Sequence, residues 1–194
     1  MRKKSHISLA KGIIHGLDMD TRIKHRLSFY IGSIWPDLTP SFLVRKHNIN
    51  DTFHIFQRKM ESFISKYRLD KDMGIMTTLR MGVITHYIAD YFTFPHNSHY
   101  DGNLKDHCVY EEELKHRMYS YIDNIKENTC KYQVKYMESL KQVEEYIKDK
   151  HRNYMSIKGN TADDCGYSFE ACINVVASLM AIAVVEKEAL ALAV

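Results

Sequence analysis

The stretch MGIMTTLRMGVITHYIADYF, residues 73–92, decides how the rest of this 194-residue chain is interpreted. Its apolar run contains few charges and predicts a helix near the centre of the protein, closed by Pro95. His86 and Asp90 stand four residues apart in it, so their side chains leave one helix face a turn apart. Because apolar residues surround both, an unpaired carboxylate would be costly there, and a metal ion would supply its partner.

Two more histidines and a second carboxylate follow at related spacings. His96 comes six residues after Asp90, directly behind Pro95, which lets the chain fold back towards the same helix face. His107 and Glu111 repeat the one-turn pair on the next predicted helix. One such pair alone is more often a solvated ion pair, but two pairs linked by a third histidine favour a metal site. Zinc suits these nitrogen and oxygen ligands.

The composition is that of a helical globular protein. Only 8 glycines and 3 prolines occur, which is few for a β protein that turns often. A net charge of +3 is too small to indicate nucleic-acid binding, so no stable nucleic-acid partner is expected. The sequence predicts an all-α fold, a single-domain multi-helix bundle over residues 1–194 with a buried central helix that carries metal ligands.

Amphipathic patterns predict further helices over about residues 5–17, 21–31, 50–67, 105–129 and 133–151. Residues 32–50 and 156–166 are predicted to be connections. The nearly apolar span 169–185 is short for a membrane crossing and contains Glu170 and Asn174, so we expect a buried core helix and no transmembrane anchor.

The cellular location is predicted from the N-terminal residues and the cysteines. Ser8, Lys11 and His15 interrupt the apolar residues after the basic start, so no signal peptide is expected. The four cysteines form no CxxC pair and are expected to be reduced. Both observations predict a cytoplasmic protein.

Three further positions could bring ligands to the same site. Asp37 follows Pro36 in a predicted connection, where a loop can aim the carboxylate inward. Either His47, before the next helix, or His54, within it, could accompany Asp37, and His47 is preferred because it precedes the helix. His6 lies at the start of the first helix. Singly, each of these residue types is more often found at the surface or as a helix cap.

The motifs HYIAD (residues 86–90), PH (95–96) and HCVYE (107–111) together resemble the zinc-dependent phospholipase C family of bacteria. That family belongs with single-strand nucleases in an all-helical, tri-zinc superfamily. Its pattern begins with an early histidine and a loop aspartate followed by a histidine. It continues with H-Y-x-x-D, a histidine six residues later beside a proline, and a histidine four residues before a glutamate. All of these parts occur here in order, within about residues 1–115.

The resemblance implies two zinc ions, and a third through Met1 and His6. The first zinc would be held by four side chains: Asp37, His47, His86 and Asp90. The second would be held by three: His96, His107 and Glu111. Asp90 would bridge to the third, completed by His6 and the backbone amine and carbonyl of residue 1. Exported family members begin with a tryptophan, whereas this chain begins Met-Arg.

The same resemblance implies a zinc-dependent phosphodiester hydrolase. Clustered zinc ions bind phosphate oxygens and lower the pKa of a bridging water, which Asp37, or Asp90 as a bridging ligand, would steer or deprotonate. The expected reaction is phospholipase C-like cleavage of a phospholipid headgroup, giving diacylglycerol and a phosphorylated alcohol. A nuclease or 3'-nucleotidase-like phosphoesterase of the same superfamily and a non-catalytic helical zinc-binding protein stay open as alternatives.

Two other helical metalloenzyme classes lack their motifs in this chain. An HD-type phosphohydrolase needs an adjacent His-Asp pair, and only the reverse order, Asp106-His107, occurs. A ferritin-like di-iron bundle needs two E-x-x-H motifs, and only Glu113 to His116 fits. Four aromatic residues near the proposed ligands could receive acyl chains, stack on bases or belong to the core: Trp35, Phe42, Phe92 and Phe94.

Overall fold

The computed structural model describes residues 1–17, 24–39, 48–68, 73–127, 132–157 and 159–192. These ranges contain helices and no strand, which confirms the predicted all-α fold. The α-helices are α1 (Lys3–Gly16), α2 (Arg26–Ile34), α3 (Ile49–Lys66), α4 (Ile75–Tyr91), α5 (Leu104–Glu127), α6 (Leu140–Met155) and α7 (Thr161–Leu192). Two short 3₁₀-helices cover Pro36–Leu38 and Phe94–His96.

Helix α4 occupies the centre of the bundle. Every residue of its second half, from Met81 to Tyr91, is buried, and α1, α2, α3 and α7 pack against it. One hydrophobic cluster joins this helix to side chains from all the other helices. The burial of α4 on all sides explains why its sequence is apolar without a polar face.

Helices α2 and α4 cross closely because each contributes a glycine. A Cβ atom added at Gly82 would lie 2.3 Å from the carbonyl oxygen of Phe29, and one at Gly32 would lie 2.2 Å from that of Leu79. The close crossing brings the carbonyl oxygen of Ser33 to within 2.9 Å of His86 Nδ1. The two glycines therefore connect the packing of the bundle to the candidate site.

Gly82→Ala is expected to destabilise the protein by about 1–3 kcal/mol, because the new methyl group meets backbone atoms that cannot rotate away. Urea unfolding followed by circular dichroism measures the change. Gly166→Ala is the matched control, since Gly166 is also helical and a Cβ there has nothing within 4 Å. The control should gain up to about 1 kcal/mol from helix propensity. Equal stability of Gly82→Ala and the parent would contradict the close crossing.

Helix α7 is the predicted core helix, although it is longer than the sequence indicated. Among the described residues it is the one helix long and apolar enough to cross a membrane, and 72% of its most apolar window is buried inside the protein. It begins at Thr161, inside the predicted loop 156–166, because Asn160 Oδ1 accepts from the backbone N–H groups of Ala162 (2.9 Å) and Asp163 (3.1 Å). Asn160 thus caps the helix at its N-terminus.

Two other predicted boundaries were wrong. Helix α2 begins at Arg26, because residues 24 and 25 form a turn; the predicted start at residue 21 lies outside the described residues. Helix α6 begins at Leu140 and not at residue 133, because Ser139 caps it and the preceding segment bonds to α7 instead. The backbone N–H of Lys135 donates to Asn174 Oδ1 at 3.0 Å, and that of Met137 donates to Ser178 Oγ at 2.9 Å.

Candidate metal centre

The predicted pair on α4 is buried and faces one way. His86 and Asp90 are both 0% exposed, and His86 Nε2 lies 3.2 Å from Asp90 Oδ2. His86 Nδ1 is 2.9 Å from the carbonyl oxygen of Ser33. A carbonyl oxygen only accepts hydrogen bonds, so Nδ1 carries a proton and Nε2 is the nitrogen available to a metal ion.

His6 of α1 joins this pair. Its ring stacks on that of His86 with centroids 4.3 Å apart, and its Nε2 lies 3.4 Å from Asp90 Oδ1. Within the part of the chain that the structure describes, the buried Nε2 has no hydrogen-bond partner. The ligand atoms of all three side chains lie within 4.8 Å of one another. We call His6, His86 and Asp90 the first ligand group.

The orphaned nitrogen of His6 fits a metal ligand. A buried polar atom without a partner costs about 1–3 kcal/mol, which a bound cation would remove. Burial, and next the neighbouring His86, lower the pKa of His6 to about 4, so its imidazole is neutral at pH 7. Neutral imidazole is the form that binds zinc, and Zn²⁺ suits a site of two imidazoles and a carboxylate.

His96, His107 and Glu111 form the second ligand group. Glu111 Oε1 lies 3.4 Å from His96 Nε2 and 3.2 Å from His107 Nε2. Their ligand atoms also lie within 4.8 Å of one another. The side chain of His107 is 30% exposed, so this group is open to solvent where the first is closed. Its imidazole and carboxylate donors suit zinc equally well.

The two ligand groups meet at Asp90 and His96. His96 Nδ1 lies 3.6 Å from Asp90 Oδ1, because the 3₁₀ turn at Phe94–His96 folds back over the end of α4. Asn97 fixes this turn: its Nδ2 donates to the carbonyl oxygens of Tyr91 and Thr93, each at 3.0 Å. The return of the chain predicted from Pro95 is therefore present.

The α-amino group of Met1 lies between the groups. It is 2.9 Å from Asp90 Oδ1, 3.0 Å from Glu111 Oε1 and 2.8 Å from His96 Nε2. Arg2 holds the terminal residues against α5, where it pairs with Glu112 and donates to the carbonyl oxygen of Cys108 at 3.1 Å. The amine and His6, which the resemblance assigned to one zinc with Asp90, thus both approach that carboxylate.

Both carboxylates at the centre are charged at neutral pH. Burial alone would raise the pKa of Asp90, but the amine of Met1 and the surrounding histidines hold it well below its usual range. Burial would also raise the pKa of Glu111, but His96 and the same amine lower it. Deprotonated carboxylates are what a metal ion requires. Conversely, burial and the amine of Met1 lower the pKa of His96, which favours its neutral form.

The remaining predicted ligands are Asp37, at the edge of the site, and His47 or His54. Asp37 Oδ1 is 3.7 Å from His86 Nε2, on the 3₁₀-helix that follows α2. It stands beside the first ligand group, and its side chain is 11% exposed. His47 lies outside the described residues, and His54 is exposed on α3.

The aromatic candidates divide between core and surface. Phe92 is fully buried and belongs to the core, and Phe94 is partly buried against Tyr110. Trp35, two residues before Asp37, is 47% exposed, and Leu38, the residue after Asp37, is 52% exposed. Phe42 lies outside the described residues. Of the four aromatic candidates, Trp35 is therefore the one that the described residues show as exposed apolar surface next to Asp37.

Several residues that support the ligands were missed by the sequence reasoning: Ser33, Asn97, Tyr110, Tyr154 and Asp164. Ser33 acts through its backbone carbonyl, which no side-chain pattern reveals. Asp164 is 70 residues from Phe94, whose N–H it accepts, so no local spacing links the two. Contacts of this kind come only from the packing of distant helices.

Comparison with known proteins identifies the family of this chain. The sequence model of zinc-dependent phospholipase C matches residues 5–161, a span that contains all the predicted side-chain ligands. No curated protein and no solved structure matches the chain. The match covers more than half of the sequence and includes both ligand groups. The chain belongs to the zinc-dependent phospholipase C family.

Proposed function

We propose that this protein is a zinc-dependent hydrolase of phosphodiesters, cleaving a phospholipid headgroup bond with an activated water. The proposal depends on one observation: the two ligand groups adjoin each other. Asp90 Oδ1 of the first group lies 3.6 Å from His96 Nδ1 of the second group. Metal ions bound this close together can act on one phosphate group. The exposed side of the second ligand group gives a substrate access to both.

The two ligand groups differ in burial, and this difference suggests a different role for each. The first ligand group is closed to solvent and would hold its ion rigidly. The second, in which His107 is partly exposed, would face the phosphate oxygens. When bound, the zinc ions supply charge neutralisation at the phosphate and a lowered pKa for water. Asp37, beside His86 and reachable from solvent, would accept the proton of the attacking water.

The surroundings of Asp37 support a lipid substrate. Trp35 and Leu38 are both exposed there, and an apolar edge next to the hydrolytic residues can receive the acyl chains of a phospholipid. Trp35 could also stack on a base, which is what a nuclease or 3'-nucleotidase-like enzyme would use. Assays with a phospholipid and with single-stranded DNA distinguish the two substrate classes.

The test combines zinc content with turnover. Untagged protein should contain two or three zinc ions per chain and hydrolyse bis-p-nitrophenyl phosphate or p-nitrophenylphosphorylcholine only with zinc bound. His107→Ala should lose zinc and turnover, because it removes one of three ligands of the second group. His116→Ala is the matched control: this histidine of α5 is 73% exposed and pairs only with Glu112 among the described residues.

Each outcome decides between the candidate functions. Preference for the choline ester, followed by release of diacylglycerol from phosphatidylcholine vesicles, supports the phospholipase. Preference for the bis-ester and cleavage of single-stranded DNA supports the nuclease-like alternative. Bound zinc without turnover of any of these substrates supports a non-catalytic zinc-binding protein. Equal zinc content in His107→Ala and the parent overturns the second ligand group.

A further inference from the structure

A buried carboxylate on α7, outside the residues matched by the family, joins the two elements that carry the second ligand group. Asp164 is 0% exposed. It accepts three hydrogen bonds: from Tyr154 Oη at 2.6 Å, from Tyr110 Oη at 2.9 Å and from the backbone N–H of Phe94 at 3.0 Å. None of these three donors belongs to a candidate ligand.

Two of the donors stand directly beside ligands in the chain. Phe94 begins the 3₁₀ turn whose third residue is His96. Tyr110 precedes Glu111 on α5 and lies three residues after His107. One carboxylate therefore fixes the position of the turn relative to the helix, and with it the distance between His96 and Glu111.

The start of α7 is held to α5 at a second point. Thr161 Oγ1 donates to Glu113 Oε1 at 2.7 Å, and Thr161 is itself buried. Tyr154 approaches Asp164 from α6 and closes the carboxylate from the other side. The first turn of α7 is thus anchored to α5 and α6, which makes it a fixed support for Phe94 and Tyr110.

The two ligand groups differ in how much they need such a support. All three members of the first ligand group, His6 on α1 and His86 and Asp90 on α4, are buried, so the surrounding core fixes their side chains. His96 and Glu111 come from separate elements and are only partly buried, so packing around their side chains constrains them less. Ligand geometry across two elements then depends on the contacts between those elements.

We propose that Asp164 is a positioning residue for His96 and Glu111, setting the zinc affinity of the second ligand group. The proposal rests on the proposed zinc site, but not on catalytic turnover. A purely structural carboxylate would affect the stability of the fold alone. A positioning residue changes metal affinity at one group and leaves the other group unaffected.

The test is to titrate Asp164→Asn with Zn²⁺, measured by calorimetry, and with Co²⁺, measured by the visible absorption of the bound ion. Asparagine keeps the shape but has one acceptor oxygen fewer, so it cannot satisfy three donors. The loss of metal in His107→Ala identifies the ion of the second ligand group. In Asp164→Asn this ion should bind roughly 10- to 100-fold more weakly, and the spectrum of cobalt bound there should change. The remaining metal should keep its affinity. Tyr110→Phe removes one of the three bonds and should show a smaller loss at the second ligand group.

Asn174→Ala is the matched control. Asn174 is a buried polar residue of the same helix, but its hydrogen bonds go to Lys135 and Tyr146 and not to the elements that carry ligands. Its loss should lower the melting temperature while zinc affinity at both groups stays that of the parent. If Asp164→Asn behaves in the same way, Asp164 is structural and the inference is overturned.

The failure of this inference differs from failure of the proposed function. Bound zinc without turnover would overturn the hydrolase and leave the affinity comparison intact. Parental affinity in both Tyr110→Phe and Asp164→Asn, with a loss in His107→Ala, would overturn only the role of Asp164. If Asp164→Asn does not fold, Tyr110→Phe alone decides, and parental affinity there overturns the inference. A parent protein that binds no metal would overturn both.

Discussion

Replacing Asp90 by asparagine is expected to reduce zinc-dependent hydrolysis by more than the roughly 100-fold that loss of an outer-shell partner of a metal ion costs. Asp90 is the residue at which the two ligand groups meet. Its Oδ2 lies 3.2 Å from His86 Nε2, and its Oδ1 lies 3.4 Å from His6 Nε2 and 3.6 Å from His96 Nδ1. An amide has no negative charge and a single oxygen ligand, so it cannot serve both groups.

The measurement is kcat/KM for p-nitrophenylphosphorylcholine together with zinc per chain, with circular dichroism to verify folding. Asp149→Asn is the control, because this aspartate of α6 is 63% exposed and pairs with Arg152. It should retain full turnover and full zinc content. An Asp90→Asn protein that keeps both would exclude Asp90 as a shared ligand and leave the metal to other residues.

Removal of metal is expected to lower the melting temperature by roughly 8–16 °C. A ligand at 1,000 times its Kd stabilises the native state by about 4 kcal/mol, and each kcal/mol shifts the melting temperature of a chain of this size by about 2–4 °C. Chelation would also leave His6 Nε2 buried without a partner and the Asp90 and Glu111 carboxylates without a metal ion. Calorimetric scans with and without a chelator measure the shift.

Adding metal back to the chelated protein shows which ion is responsible for the change in melting temperature. Added Zn²⁺ should recover the melting temperature and Mg²⁺ should not, because imidazole ligands favour zinc and magnesium prefers oxygen. Asp90→Asn should show a smaller chelator-dependent shift than the parent, whereas Asp149→Asn should show the full shift. An identical melting temperature of the parent with and without chelator would contradict metal binding at both groups.

The proximity of the two His/carboxylate pairs could be predicted because helix geometry is local. His86 with Asp90, and His107 with Glu111, are four residues apart, and 3.6 residues per turn brings each pair to one face. The apolar residues around His86 likewise indicated that this pair is buried, and both side chains are. The position of His96 followed from Pro95, which ends a helix by removing a backbone donor.

The approach of His6 to His86 and Asp90 could not be predicted from local spacing. The resemblance assigned His6 to a zinc with Met1 and Asp90, and both groups approach Asp90 in the structure. The stacking of the His6 ring on His86 comes from the contact of α1 with α4. The start predicted for α6 at residue 133 was wrong for a similar reason. Residues 133–139 have helical character, yet their N–H groups bond to Asn174 and Ser178 on a helix far away in sequence.

The amino-acid sequence was sufficient to predict the helical class, the central position of α4, the one-turn His/carboxylate spacings on α4 and α5, and the family. These depend on periodicity and short spacings, which one segment of chain encodes alone. Three features followed only from the packing of the helices: the two ligand groups meet at Asp90, the carbonyl oxygen of Ser33 lies on His86, and Asp164 connects Phe94 to Tyr110. Those contacts join residues more than 50 positions apart, or ligands on separate elements, and their distances are set by how the helices pack.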